Sequence, residues 1–191
     1  MTITIYAASS SQAPRPCLEA AARLGHLMGR AGHTLVSGAG RQGLMGAAAE
    51  AILEAGGQAW GIIPEFMVRQ GWHHPAMSRL EIVPDMHTRE RRMAEVADAF
   101  IALPGGVGTL EELLELITWK QLGLSRKPLV ILNTGGYFDP LLSQLDRAVE
   151  EHFMRPEHRD IWRLAATPDE ALRLCRETPL WDASASKYAA L

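Results

Sequence analysis

A Rossmann-like three-layer α/β/α fold with a mostly parallel central sheet is predicted for this chain of 191 residues, and three observations predict it. Short β-branched runs alternate with longer helical patterns from end to end, which implies parallel strands joined by right-handed crossovers. Glycine-rich segments directly follow two of the apolar runs, where such folds turn from strand into helix. The composition, 47% hydrophobic and 21% charged, supplies enough apolar surface to cover both faces of one sheet. One domain over residues 1–177 is expected, followed by a flexible tail, rich in Ala and Ser, over 178–191.

The elements follow in order. Thr2 to Ala7 is a strand, Cys17 to Arg30 a helix, and His33 to Val36 a strand running into a glycine-rich turn. Leu44, Ala47, Ala48, Ala51, Ile52 and Ala55 recur at helical spacing, with Gly56 and Gly57 as the stop. Gln58 to Ile63 returns to strand, and the stretch from Pro64 to Arg79 reads as a loop or a short broken helix. Leu80 to Val83 is a short strand before a helix from His87 to Val96. Ala99 to Leu103 is a nearly continuous apolar strand, Thr109 to Leu122 a helix with Leu113, Leu114 and Ile117 toward the sheet, and Leu129 to Leu132 a strand. Asp139 to Phe153 is a helix and Ile161 to Ala165 the last strand. Thr167-Pro168-Asp169-Glu170 is a capping box that starts a final helix to Arg176.

Several function classes are disfavoured by composition. A net charge of −3 gives no general attraction to a nucleic acid polymer or an anionic membrane, so an anionic ligand needs a local site. Cys17 and Cys175 lack the spacing of a zinc ribbon or a disulfide framework. Residues 1–8 lack a secretory leader pattern, and no apolar run approaches the ~20 residues of a membrane helix, so the cytoplasm is the expected compartment. The only lysines are Lys120, Lys127 and Lys187. A P-loop is thereby excluded and a Schiff-base lysine has few places to be, while 16 arginines leave an arginine-based phosphate site open.

Two loops carry the chemistry. The first, Ser37 to Gly46, contains G-x-G-x-x-G at Gly38, Gly40 and Gly43, but as the second strand-to-helix turn, with no acidic residue at the next strand end. It reads either as a dinucleotide or anion site or as a tight turn with close helix packing. The second, Pro104-Gly105-Gly106-Val107-Gly108-Thr109, sets three glycines between a buried strand and a helix start, a cup of backbone amides suited to phosphate. Thr109 and Glu112 have the spacing of a capping box, so on sequence alone Glu112 fits a cap and a catalyst equally well. Glu111, Glu115 and Thr118 share a polar flank of the same helix. Arg89, Arg91 and Arg92 crowd the start of another helix, where the macrodipole disfavours cations unless an anion binds.

Together these residues resemble the Lonely Guy family of cytokinin riboside 5′-monophosphate phosphoribohydrolases. The family signature P-G-G-x-G-T-x-x-E is matched at Pro104, Gly105, Gly106, Gly108, Thr109 and Glu112, and M-H-x-R-K-x-x-M at Met86, His87, Arg89 and Met93. Gly43 to Gly46 resembles its G-x-G-L-M-G region. The resemblance implies a homodimeric enzyme that cleaves the N-glycosidic bond of a purine nucleoside 5′-monophosphate, with Arg89 and Glu112 catalytic. It further implies a substrate and phosphate site of Gly105, Gly106, Val107, Gly108 and Thr109, joined by Ser9, Gly40, Gly43, Met86, Glu111 and Thr118. Glu90 stands where the motif carries lysine, and Ala8 and Ala39 stand where the family has glycine. If the segment after Pro64 aligns without gaps, Gly71 replaces a substrate-contacting glutamate.

The expected chemistry is metal-free and cofactor-free hydrolysis through an oxocarbenium-like transition state. His73 and His74 are adjacent rather than a helical turn apart, so they do not present a metal site. Relatives labelled lysine decarboxylase imply pyridoxal phosphate, which the scarcity of lysine opposes. The rival readings are a non-catalytic nucleotide carrier on the same fold and, more weakly, an NAD-dependent oxidoreductase using Gly38 to Gly43.

Overall fold

Each β-branched run becomes a strand, and the strands assemble into one sheet. A computed structural model describes residues 1–182. The strands are β1 (Thr2–Tyr6), β2 (Thr34–Ser37), β3 (Gln58–Pro64), β4 (Arg79–Val83), β5 (Ala99–Ala102), β6 (Leu129–Leu132) and β7 (Arg163–Ala165). The helices are α1 (Arg15–Arg30), α2 (Gly43–Glu54), α3 (Glu65–Arg69), α4 (Met86–Val96), α5 (Val107–Gln121), α6 (Asp139–Glu150) and α7 (Pro168–Glu177). The sheet order is β4-β3-β2-β1-β5-β6-β7, and every neighbouring pair runs parallel. The chain winds outward from β1 to β4, then crosses back to β5, which puts the topological switch point between β1 and β5.

Side-chain alternation along the strands builds two cores. Ile3, Ile5, Leu35 and Ile101 pack with Leu24, Met28, Leu44, Ile52 and Leu172 of α1, α2 and α7. Tyr6, Val36, Phe100 and Ile131 face the other way, against Met93, Leu113, Ile117 and Leu145 of α4, α5 and α6. Thr4 is wholly buried among the latter set because its hydroxyl donates to the Met93 carbonyl, 2.9 Å away. Among the described residues no helix is long and apolar enough to cross a membrane.

Several boundaries and one face depart from the sequence reading. α1 begins at Arg15, because Pro16 fits a first turn whose N–H groups lack partners anyway. α6 ends at Glu150 rather than Phe153, and a 3-10 turn at Pro156–Asp160 shortens the last strand to three residues; the segment after Pro64 holds the short helix α3, one of its two expected forms. On α5, Leu116 packs inside with Leu113 and Ile117, whereas Leu114 is 38% exposed. The expected flexible tail lies outside the described residues from 183 onward; before it, the Trp181 N–H donates to the Arg126 carbonyl.

Candidate active site

The loops after β1, β2, β3 and β5 all leave the carboxyl edge of the sheet, where they enclose a cleft of about 690 Å³. Its floor is the switch point, the usual ligand position in such sheets. Of the residues expected at the site, Ser9, Gly40, Met86, Arg89, Gly106, Gly108, Thr109 and Glu112 line it. Gly43, Gly105, Val107, Glu111 and Thr118 do not.

Those absences have local causes. Gly43 opens α2 at φ +62, and a Cβ there would lie 2.6–2.8 Å from backbone atoms of Ala8, Ser9 and Ser10. Its bareness lets the β1 loop lie on the α2 N-terminus, where the Met45 N–H donates to the Ala8 carbonyl at 3.2 Å. Gly105 is pressed against the Thr109 side chain and the Ala8 amide, and its carbonyl accepts the Tyr137 hydroxyl. Val107 is 84% exposed. The Thr118 hydroxyl is spent on the Leu114 carbonyl of its own helix, at 2.9 Å. Glu111 is exposed beside Glu90 and Glu115, and the carboxylate oxygens of the three lie within 4.8 Å of one another.

The capping-box reading of Glu112 does not hold. α5 starts at Val107, with the extended Gly106 as its N-cap and no side-chain cap, so Thr109 is already inside the helix. Glu112 turns into the cleft wall instead, where its Oε1 accepts Arg89 Nη2 at 2.7 Å. Both partners are buried, at 8% and 7% exposure. Burial pushes the Glu112 carboxyl up to about 7; Arg89 opposes the rise, and Glu90 and Glu111 reinforce it. Tyr6, beneath the pair on β1, is itself held well above its ordinary value by burial and then by the Glu112 charge.

Only one of the three clustered arginines reaches the cleft. Arg92 turns to Glu81 at 2.8 Å and over Trp60, and Arg91 points to a separate surface recess. The helix end is stabilised by an N-cap that the sequence reading passed over: Asp85 Oδ1 accepts the Thr88 N–H at 2.7 Å. The signal was present as Asp85 immediately before the helix start. Arg89 runs past Gly38, where an added Cβ would come within 3.2 Å of its Nη1. Its Nε is buried without a hydrogen-bond partner. A guanidinium that lines the cleft, with Nη2 on Glu112 and Nε unpaired, suits an anionic ligand nearby.

The glycine cup is lined by backbone. Nothing lies within 4 Å of a Cβ added at Gly106 or Gly108, so these two glycines front open space. The first N–H groups of the 15-residue helix α5 have no intrahelical acceptors, and its positive dipole end lies behind them. The lining also includes an apolar set, Met45, Ile63, Met67 and Trp72. The segment holding Trp72 is tied across the first glycine loop, its carbonyl accepting the Arg41 N–H at 3.2 Å and the His74 N–H reaching the Ala39 carbonyl at 2.8 Å. The sequence reading did not bring these residues together, because they come from separate segments and only Met45 lies in a motif.

With that geometry in place, comparison with known proteins is decisive. A family model described as "Possible lysine decarboxylase" matches residues 45–175. A cytokinin riboside 5′-monophosphate phosphoribohydrolase of Arabidopsis thaliana is 42% identical over 186 residues, covering 97% of this chain and 86% of its own. The chain belongs to the Lonely Guy family. A bacterial member, the cytokinin riboside 5′-monophosphate phosphoribohydrolase of Rhodococcoides fascians, is 47% identical over 138 residues, covering 71% of this chain and 69% of its own. Among solved structures, the molybdenum cofactor carrier protein of Chlamydomonas reinhardtii superposes with a TM-score of 0.70 at 20% identity, covering 92% of this chain and 96% of that one. At that identity it shows a shared Rossmann-like fold only. The decarboxylase wording finds no lysine at this Lonely Guy cleft among the described residues: Lys120 Nζ donates to the Lys127 carbonyl, and Lys127 Nζ to the Ala94 and Glu95 carbonyls.

Proposed function

We propose that the protein hydrolyses the N-glycosidic bond of purine nucleoside 5′-monophosphates, AMP or a cytokinin-type derivative, to the free base and ribose 5-phosphate. As a Lonely Guy member it is a phosphoribohydrolase; the substrate range and the roles below are our reading. The observation that carries it is the buried Arg89–Glu112 pair beside an open glycine cup at the sheet's switch point. The 5′-phosphate lies on the Gly106 and Gly108 backbone and the α5 N-terminus, with the unpaired donors of Arg89 adding charge. Binding energy from this non-reacting group positions the sugar. The base points to the apolar wall of Met45, Ile63, Met67 and Trp72.

The C1′–N bond breaks with its electron pair leaving on the base, and Glu112 stabilises the positive charge that develops at C1′. Water adds its oxygen to C1′ and gives its proton to Glu112, and the base takes up a proton. A carboxyl near pH 7 is populated in both forms at neutral pH, which suits Glu112 to carry a proton between water and leaving base. The functional unit is a homodimer, a reading supported by exposed Val107 and Leu114 on α5 beside the site.

Incubation with AMP and with isopentenylated AMP, followed by chromatography of free base, tests the reaction. Base release from either supports it. Tight nucleotide binding with no release from either favours a carrier on this fold.

A further inference from the structure

One buried carboxylate near the site belongs to none of these roles. Glu90 follows Arg89 on α4 and is only 5% exposed, yet it is not among the residues that line the cleft. Its Oε1 lies 3.9 Å from Arg89 Nη2, the same nitrogen that donates to Glu112 at 2.7 Å. One guanidinium nitrogen thus stands between two buried carboxylates. The other basic side chain near Glu90 is His87, whose Nδ1 lies 3.9 Å from Oε2 and which is almost wholly exposed. Glu111 and Glu115 of α5 crowd the same point and add negative charge.

We propose that Glu90 is a positioning residue: as a second claimant on Arg89, it loosens the electrostatic hold of that cation on Glu112 and prepares Glu112 for its work at the sugar. The effect is Coulombic and acts through buried, weakly screened surroundings, where a charge 3.9 Å away still counts. The charged and titratable groups facing Glu112 are Arg89 and Glu90 from α4, Glu111 from its own helix and Tyr6 from β1. Arg89 alone favours its ionised form; burial, Glu90 and Glu111 oppose it. Those facing Glu90 are Glu111, Glu112 and Glu115 from α5, Tyr6 from β1, and Arg89, His87 and Asp85 from its own helix and cap. With Glu90 neutralised, Arg89 is left to Glu112, which should ionise at lower pH.

The inference rests on the hydrolase reading for its catalytic meaning, and its test has a readout that does not. In Glu90→Gln and Glu90→Lys, the acidic limb of the kcat/KM profile for base release from AMP should move to lower pH by at least about half a unit, roughly a threefold relative gain on the acidic side. The lysine variant should move it further. In the same variants without nucleotide, the carbon-13 NMR titration midpoint of the Glu112 carboxyl should fall in parallel. An unmoved midpoint in both folded variants overturns the proposal, as does a loss of rate that is uniform across pH with the limb in place. If the intact protein releases no base from AMP but the midpoint still falls, the hydrolase reading fails while the action of Glu90 on Glu112 stands.

Discussion

The two glycine loops of this protein look alike in sequence, yet Gly43 and Gly46 of the first do the opposite of Gly106 and Gly108 of the second. In the loop after β2, a side chain at Gly43 would collide with the backbone of Ala8 to Ser10, and one at Gly46 with the Arg41 carbonyl. In the loop after β5, Gly106 and Gly108 border nothing within 4 Å of an added Cβ. The former glycines let two pieces of chain touch; the latter keep space for something that is not chain. Glycine content alone does not mark a ligand site. What marks it is a glycine with room around it, at a helix start and next to unpaired buried donors such as Arg89 Nε.

The largest effect that follows is on Glu112, which faces the open loop. Glu112→Gln should lower turnover by about 10²- to 10⁴-fold, the range for a lost acid–base group, and nucleotide binding measured by calorimetry should persist. The same substitution has a signature in stability. Burial raises Glu112 from its ordinary value of about 4.5 to about 7, so its share of stability is full below about 4.5 and is lost as pH rises through 7. Denaturation across that window should show a fall in the intact protein that Glu112→Gln flattens.

Next comes the closed loop. Gly43→Ala combines a left-handed backbone with backbone collisions, and should destabilise the fold by about 2–3 kcal/mol in urea unfolding. The parallel change in the open loop, Gly106→Ala, should leave stability within about 0.5 kcal/mol, because its φ of −82° suits any residue. It should instead raise the KM for AMP about tenfold, the equivalent of about 1.4 kcal/mol. Equal stability losses in the two variants would erase the distinction between the loops.

The sequence carried the fold well because the signals were periodic. Strand runs such as Ala99 to Leu103, and the Leu44 to Ala55 pattern, need only their own residues to be read, and both appear where expected to within a residue or two. The site was legible where a motif is contiguous, as with Gly106, Thr109 and Glu112. It was not legible where the deciding contact is long-range. Whether Glu112 caps its helix or meets Arg89 depends on how α4 lies against α5, and no local spacing encodes that. The apolar wall fails for the same reason, since Met45, Ile63 and Trp72 become neighbours only after the sheet forms. Leu114 was misread because helical spacing alone cannot say which flank of an apolar stripe the sheet will cover.

The most direct measurement compares AMP with adenosine in one base-release assay. In the proposed reaction the open glycine cup and Arg89 hold the 5′-phosphate so that the sugar lies against Glu112. Adenine released from AMP, with release from adenosine lower by at least about 10³-fold, is the expected result. Equal release from both, or release from adenosine alone, would contradict it.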